Sequence, residues 1–414
     1  MRKVILVLVS LVLLTMVGCA AEEVVVANEE EERDDWYWYG PNYPGMVEPD
    51  LGEDLTYFDW GSLLPEEEEV LIAEGDGWAA YKRGAFEGYS VLFALSPRGI
   101  HAPGWKDRLV EVYPDKGIEI VPEVGARLFY MDARKYPDGT YSYSDYKTGI
   151  FHVDSEGKIL HRYLDEANGH ESLVLSFEPP RVLSYSFELG IARITDWKGT
   201  VYWEWDQAKE VVPFDAENYS NLDFHYGTQF PEEGTSVPRV YDPIWVVKEN
   251  QRDGGVGLNR VQVLDNGHKI LSLRNVDLVL EIDEDNEVVW SFGPMVLRHQ
   301  HCPTLLDNGN ILIHDTGNNR VIEVTRDHEI VFEFGGGMVC PYMGMVQRLP
   351  DGNTVFSDGL RTTATCVSPE GEVVWEVYIK GKDTLTRTEA LEFQKKVLPG
   401  FRILRAWAYP IEEE

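Results

Sequence analysis

Residues 264–292 read LDNGHKILSLRNVDLVLEIDEDNEVVWSF, a stretch that opens on a D-N-G turn and closes on an aromatic strand. The chain repeats it twice, as LDNGNILIHDTGNNRVIEVTRDHEIVFEF at 306–334 and LPDGNTVFSDGLRTTATCVSPEGEVVWEV at 349–377. The three align without gaps. Gly267, Gly309 and Gly352 stand 42 and 43 residues apart, and Trp290, Phe332 and Trp375 keep the same spacing. Weaker copies lie upstream: YPDGTYSYSDYKTGIFHVDSEGKILHRYL from Tyr136 and FEPPRVLSYSFELGIARITDWKGTVYWEW from Phe177. Gly157 and Gly199 mark their second turns; the next equivalent, Asn286, comes 87 residues after Gly199. That gap implies either a degenerate repeat or an insertion near 207–255.

Each unit reads turn, strand, turn, strand, turn, strand. The D/N-G dipeptides supply hairpin turns, and the segments between them carry the Val, Ile, Tyr and Trp of half-buried strands. Several strands per unit at a period of about 40–50 residues is the signature of a propeller blade. Five copies plus one weak or N-terminal unit predict an all-β, six-bladed β-propeller over 131–414. Residues 41–130 are expected to form an irregular N-terminal region with some β-structure, in which GYSVLFALSP from Gly88 is the readable strand. At the other end, FRILRAWAYP from Phe401 suits a closing strand, and 385–398 suits a short helix.

Composition narrows the function. The 414 residues carry 71 Asp+Glu against 37 Lys+Arg, a formal charge of -34, with 43% hydrophobic and 12% aromatic residues. That apolar content buries a large core and excludes disorder for the bulk of the chain. The acidity argues against a nucleic-acid partner, which needs a basic face, and against docking on anionic lipid. With 37 Gly and 22 Pro the chain is turn-rich.

The first 18 residues, MRKVILVLVSLVLLTMVG, combine a basic start with an apolar run too short for a full membrane span. They predict export. The ending Met16-Val17-Gly18-Cys19 resembles a bacterial lipoprotein cleavage box, which makes Cys19 the lipidated first residue of a chain at -36 and residues 1–18 a removable signal. The competing readings are an ordinary signal cleaved nearby and an uncleaved anchor. Residues 19–40 then form an acidic tether, self-repelling and extended, holding an envelope-facing domain off its membrane. Cys302, Cys340 and Cys366 remain; they allow at most one disulfide and match no zinc spacing. Buried structural cysteine is the default for them.

A propeller carries its ligand at the axial funnel, so polar residues at equivalent points of successive blades are the candidates. His301, in RHQHCPTLLDNGN, stands five residues before Leu306, where an innermost strand should begin. His299 lies two before it, on the same face if the segment is extended. His170 precedes Phe177 in NGHESLVLSF, Arg274 follows an inner strand in LSLRN, and Asn259 precedes Leu264.

In this set the sequence resembles the arylsulfate sulfotransferases, a six-bladed propeller family that moves sulfuryl groups between phenols. The family pattern of a His before an inner strand, then H-x-N, S-x-R, Q-H and a D-N-G-like turn is matched in order. The matching residues are His170-Glu171-Ser172, Asn259, Ser272-Leu273-Arg274, Gln300-His301 and Asp315-Thr316-Gly317. The likeness covers about 135–410. One position departs: Gly257 stands where H-x-N has its His, and the preceding loop, with DFHYGTQF and VYDPIWVV, is expanded. His225 in that loop is a possible replacement that nothing in the sequence requires.

The resemblance implies that His301 attacks sulfur and holds the group as sulfohistidine. Arg274 then stabilises charge on the sulfate oxygens, and His170 exchanges the proton of leaving and incoming phenols. Asn259 and His299 are the substrate-binding candidates. No cofactor, nucleotide sulfate donor or metal is implied; the partners are an aryl sulfate and a phenol. Packing is the competing reading for each of these side chains, for His314, and for the recurrent Trp203, Trp290 and Trp375. Asp315 and Asn318–Arg320 read as a blade turn. Gly257 favours a second function, a non-catalytic envelope scaffold or ligand-binding module. A third follows from blades ending in GEVVWE, which are similar to quinone-dependent dehydrogenases; it requires a calcium and quinone pocket that the sequence does not show.

Overall fold

A computed structural model describes residues 64–411, apart from 66–67, 76–77, 98–107, 122–129, 146–148, 165–170, 187–188, 208, 211–256, 294–295, 336–343, 359–362 and 382–400. Its strands form six antiparallel sheets. Numbered around the ring and written from the inside out, blade 2 is Tyr130–Lys135, Tyr141–Asp145, Gly149–Val153 and Ile159–Tyr163. Blade 3 is Glu171–Phe177, Pro180–Ser186, Ile191–Thr195 and Val201–Asp206. Blade 4 is Leu258–Val263, Lys269–Leu273, Leu278–Ile282 and Val288–Phe292. Blade 5 is His301–Leu305, Ile311–Asp315, Arg320–Val324 and Ile330–Phe334. Blade 6 is Val346–Arg348, Thr354–Asp358, Thr363–Val367 and Val373–Gly381. The six-bladed all-β architecture is therefore present. The expected helix over 385–398 lies outside the described residues, as does 211–256 between blades 3 and 4.

Blade 1 closes the ring. Its innermost strand is the C-terminal Phe401–Pro410, as the sequence suggested, and its other three are Tyr89–Pro97, Arg108–Tyr113 and Gly117–Val121. A further hairpin, Val70–Gly75 and Trp78–Gly84, extends blade 6 outward through Val373–Gly381. The described strands of 41–130 thus belong to blades 6 and 1, not to a region ahead of the propeller. The repeat was weak there because closure takes one strand of blade 1 from the far end of the chain, which breaks the sequential unit that self-comparison detects.

The intermediate strands are buried on both faces. Leu278–Ile282 and Ile311–Asp315 are buried at every position, and apolar faces of adjacent blades share clusters such as Ile270, Val279, Ile311, Ile313 and Ile322. Repeated polar clips hold neighbours in register. Gln262 Oε1 accepts the Leu305 N–H at 2.8 Å, and Gln347 accepts the Ala408 N–H at 3.1 Å while its amide donates to the Ala408 carbonyl at 3.1 Å. Trp203 Nε1–H donates to Asn286 Oδ1 at 2.8 Å and Trp290 Nε1–H to the Arg326 carbonyl at 3.0 Å, so these period-locked tryptophans fasten blade to blade. Glu323 pairs with Arg348 at 2.6 Å across another seam, and Glu281 pairs with Arg326. Cys302 and Cys366 are buried and unbridged, consistent with structural thiols; Cys340 is not among the described residues.

Candidate functional site

Blades 4 and 5 build the candidate site from equivalent positions of their repeats. Gly257 and His299 correspond, as do Asn259 and His301, and Arg274 and Thr316, each pair 42 residues apart. In both blades the inner strand starts, and the second strand ends, at the same edge of the sheet: Leu258 faces Leu273, and His301 faces His314. A three-residue 3-10 turn follows each second strand, Arg274–Val276 and Thr316–Asn318. That turn brings the side chain after the second strand back to the mouth of the inner strand.

His301 is 1% exposed. Its Nδ1 lies 2.9 Å from Thr316 Oγ1, and the same hydroxyl donates its proton to the His299 carbonyl oxygen. A hydroxyl has one proton. Thr316 therefore accepts from His301 Nδ1–H, the arrangement that in a neutral ring leaves the lone pair on Nε2. Beside it, Asn259 Nδ2 donates to the Gln300 carbonyl at 2.8 Å, which Ser272 Oγ also contacts at 3.3 Å. Gln300 Nε2 donates back to Ser272 Oγ at 3.1 Å and to the Leu278 carbonyl at 2.9 Å. Asn259 thus fixes the backbone on which His301 stands.

Arg274 is 4% exposed. One of its terminal nitrogens lies 3.5 Å from His299 Nδ1. Guanidinium has no acceptor, so His299 Nδ1 accepts and the ring proton sits on Nε2. Burial and the charges of Arg274 and Arg298 hold His299 well below its ordinary pKa, which keeps it neutral. His299 is not on the face of an extended strand with His301: its φ is +48° and that of Cys302 is +52°. The chain turns sharply at His299, before the strand begins, and is irregular again at Cys302 within it; Asp277 Oδ1 holds the first turn by accepting the His299 N–H at 2.6 Å.

Arg274, His299, Thr316 and His301 form one hydrogen-bonded chain, and Asn259 joins it through the backbone. His170 lies outside the described residues, as do Cys19 and His225. His314 is fully buried against Phe356, and a Cβ at Gly344 would come within 2.1 Å of its Nδ1. Gly344 is the blade 6 counterpart of His301, so that blade contributes no side chain at the position. Asp315 accepts from Arg298 N at 2.7 Å and from Asn318 and Arg320, each at 2.8 Å, and is the turn residue its sequence suggested. The reading from sequence missed Asp277 and Arg298. It also missed that His299 is the counterpart of Gly257, although the 42-residue register contained that signal.

Asp277 gives a pH prediction. Burial raises its carboxyl from 3.8 to about 7, against the lowering effect of the His299 N–H and of Arg274 and Arg298. The folded protein thus holds this proton more tightly than the unfolded chain. Its stabilising contribution is complete below the ordinary carboxylate range and is lost as pH rises toward about 7. Asp277→Asn removes that loss and retains the acceptor for His299. Asn319 occupies the equivalent left-handed position of blade 5, at φ +52°. Urea midpoints should show the variant gaining on wild type between pH 5 and pH 8 by a few kcal/mol; identical pH profiles refute this.

No protein-family profile and no curated protein matches the sequence. Among solved structures, a Bacteroides caccae protein of unknown function is similar at 14% identity and TM-score 0.49, over 78% of this chain and 99% of that one. Virginiamycin B lyase from Staphylococcus aureus is similar at 8% identity and TM-score 0.42, over 75% and 100%. The WD40 β-propeller domain of Doa1 is similar at 11% and 0.40, over 80% and 97%.

Proposed function

We propose that the protein transfers a sulfuryl group from an aryl sulfate to a phenolic acceptor through His301. The observation that carries this reading is the pair of complementary contacts on two neighbouring imidazoles, His301 Nδ1 on a hydroxyl and His299 Nδ1 on a guanidinium. His301 has its lone pair on Nε2, as a nucleophile needs, while neutral His299 has its proton on Nε2, as an oxyanion donor needs. Arg274 adds the cationic fork suited to sulfate oxygens. In this reading both donors serve the charge that develops as sulfur passes between oxygen and nitrogen.

In the first step His301 Nε2 attacks sulfur, the S–O bond to the aryl group breaks, and the phenolate leaves with a proton. The ring, its Nδ1–H held by Thr316, becomes N-sulfonated. In the second step an incoming phenol loses its proton and attacks sulfur, which returns the lone pair to Nε2. The family resemblance gives the proton-exchange role to His170. The substitution of Gly257 for a family His is met in this reading by His299, the same repeat position one blade on. We also place the domain outside the cytoplasm on a lipid at Cys19; Cys19→Ser should release it from the membrane fraction, and retention of the variant there refutes the anchor.

The test is incubation of the protein with p-nitrophenyl sulfate and phenol, with release of nitrophenol followed by absorbance and phenyl sulfate identified by mass. Gly257 favours the second reading, a non-catalytic envelope ligand-binding or scaffold module. Absence of turnover across a broad panel of phenols, with binding of aryl sulfates retained, decides for it.

A further inference from the structure

A second pair of imidazoles lies away from this site, on the outer half of blade 2. His152 and His161 are cross-strand partners on its third and fourth strands. Their rings are parallel within 3° with centroids 5.5 Å apart, while the two Nδ1 atoms approach to 3.2 Å. The rings therefore meet edge to edge, nitrogen to nitrogen.

The surrounding bonds fix the protons. Thr140 Oγ1 donates to Asp138 Oδ1 at 2.7 Å. Having spent its proton, it accepts from His152 Nε2–H at 2.8 Å. His152 consequently presents a lone pair on Nδ1, and His161 supplies the proton between the rings. His152 is 4% exposed, and its ring packs against Phe177 and Tyr136, whose centroids lie 4.6 and 6.1 Å away. His161 is exposed and packs face to face on Trp197 of blade 3, at 4.9 Å and 9°.

We propose that this pair is a binding site for a divalent transition-metal ion, which takes the place of the shared proton between the two Nδ1 atoms. Two nitrogens each about 2.0–2.1 Å from one ion stand roughly 3.3 Å apart at a tetrahedral angle, close to the separation already present. His161 shifts its proton from Nδ1 to Nε2 and its exposed ring turns so that both Nδ1 lone pairs converge on the ion, with no net release of protons. His152 has the outer-shell arrangement of a metal ligand: its second nitrogen is tied through a hydroxyl to a carboxylate, which fixes tautomer and ring orientation. Imidazole ligation selects the zinc and copper end of the series. Among the described residues no three His, Cys, Asp or Glu side chains gather at one point, so the described residues offer two ligands here and water completes the shell.

The experiment is titration of the untagged full chain with Cu2+ alone, followed by electron paramagnetic resonance and tryptophan fluorescence. Wild type should show one site with hyperfine structure from two imidazole nitrogens, together with quenching of Trp197. Trp197→Phe should retain the two-nitrogen spectrum and lose that quenching. Thr140→Val should weaken binding by about 10–100-fold through loss of orientation. His161→Ala, at an exposed position, should lose the two-nitrogen spectrum. A His161→Ala protein with an unchanged isotherm and spectrum, or quenching unaffected by Trp197→Phe, overturns the proposal.

Discussion

His301→Ala is expected to lower p-nitrophenyl sulfate turnover by a factor on the order of 10⁴ or more, because the variant loses the atom that divides the reaction into two steps. Binding of the aryl sulfate should change little, since Arg274 and His299 remain. The loss should therefore fall on kcat, and the sulfonated peptide seen on rapid quenching of wild type should disappear. Two companions separate chemistry from packing. Arg274→Lys keeps the charge but loses the planar fork, and should cost about 10²–10³-fold in kcat, the scale of one oxyanion donor. Thr316→Val frees the His301 tautomer from its acceptor; as a positioning change it should reduce kcat with KM nearly constant. Full turnover by His301→Ala sinks the sulfohistidine route whatever the other variants do.

The second large effect concerns the closing strand. Trp407→Ala should destabilise the propeller by about 3–5 kcal/mol, the range for deleting a buried aromatic side chain. Trp407 is 8% exposed and stands on the innermost strand of blade 1. Its Nε1–H donates to the buried Asp132 Oδ1 of blade 2 at 2.9 Å, and the Arg134 guanidinium lies 3.2 Å from its ring centroid. Arg260, on the inner strand of blade 4, lies 5.7 Å from the same centroid. One side chain of blade 1 thus meets blades 2 and 4. Its removal opens a cavity, deprives Asp132 of its indole donor and weakens the strand that joins the two ends of the chain. Trp407→Phe retains most of the packing and loses the N–H, and should cost about 1–3 kcal/mol. Urea midpoints decide; a Trp407→Ala midpoint equal to wild type would mean that closure does not depend on this residue.

Both predictions rest on what repetition does and does not reveal. The gapless copies at 264, 306 and 349 specify blades because a hairpin turn and alternating apolar strands recur at one period, and each is a local property. They also placed Asn259, Arg274 and His301 at strand mouths, and the blades do bring those mouths together. What defeated local reading was closure and curvature. Residues 70–121 look irregular because Trp78–Gly84 and Tyr89–Pro97 pair on one side with Val373–Gly381 and Phe401–Pro410, about 300 residues away, and no nearby pattern signals such pairing. His299 looked like the neighbour of His301 on an extended strand; a left-handed turn held by Asp277 aims it at Arg274 instead.

The sequence by itself determined the fold class, the blade count and which polar residues stand at blade mouths, because turn chemistry and period-two apolar patterning act within about ten residues of one another. The tertiary structure alone set the partners of the two imidazoles, since each is held by a bond that crosses a turn or a blade boundary: Thr316 for His301, Arg274 for His299. It alone set Trp407 of the closing strand against blades 2 and 4. It alone set His152 against His161, whose nine-residue separation carries no chemical meaning until two antiparallel strands place the nitrogens 3.2 Å apart.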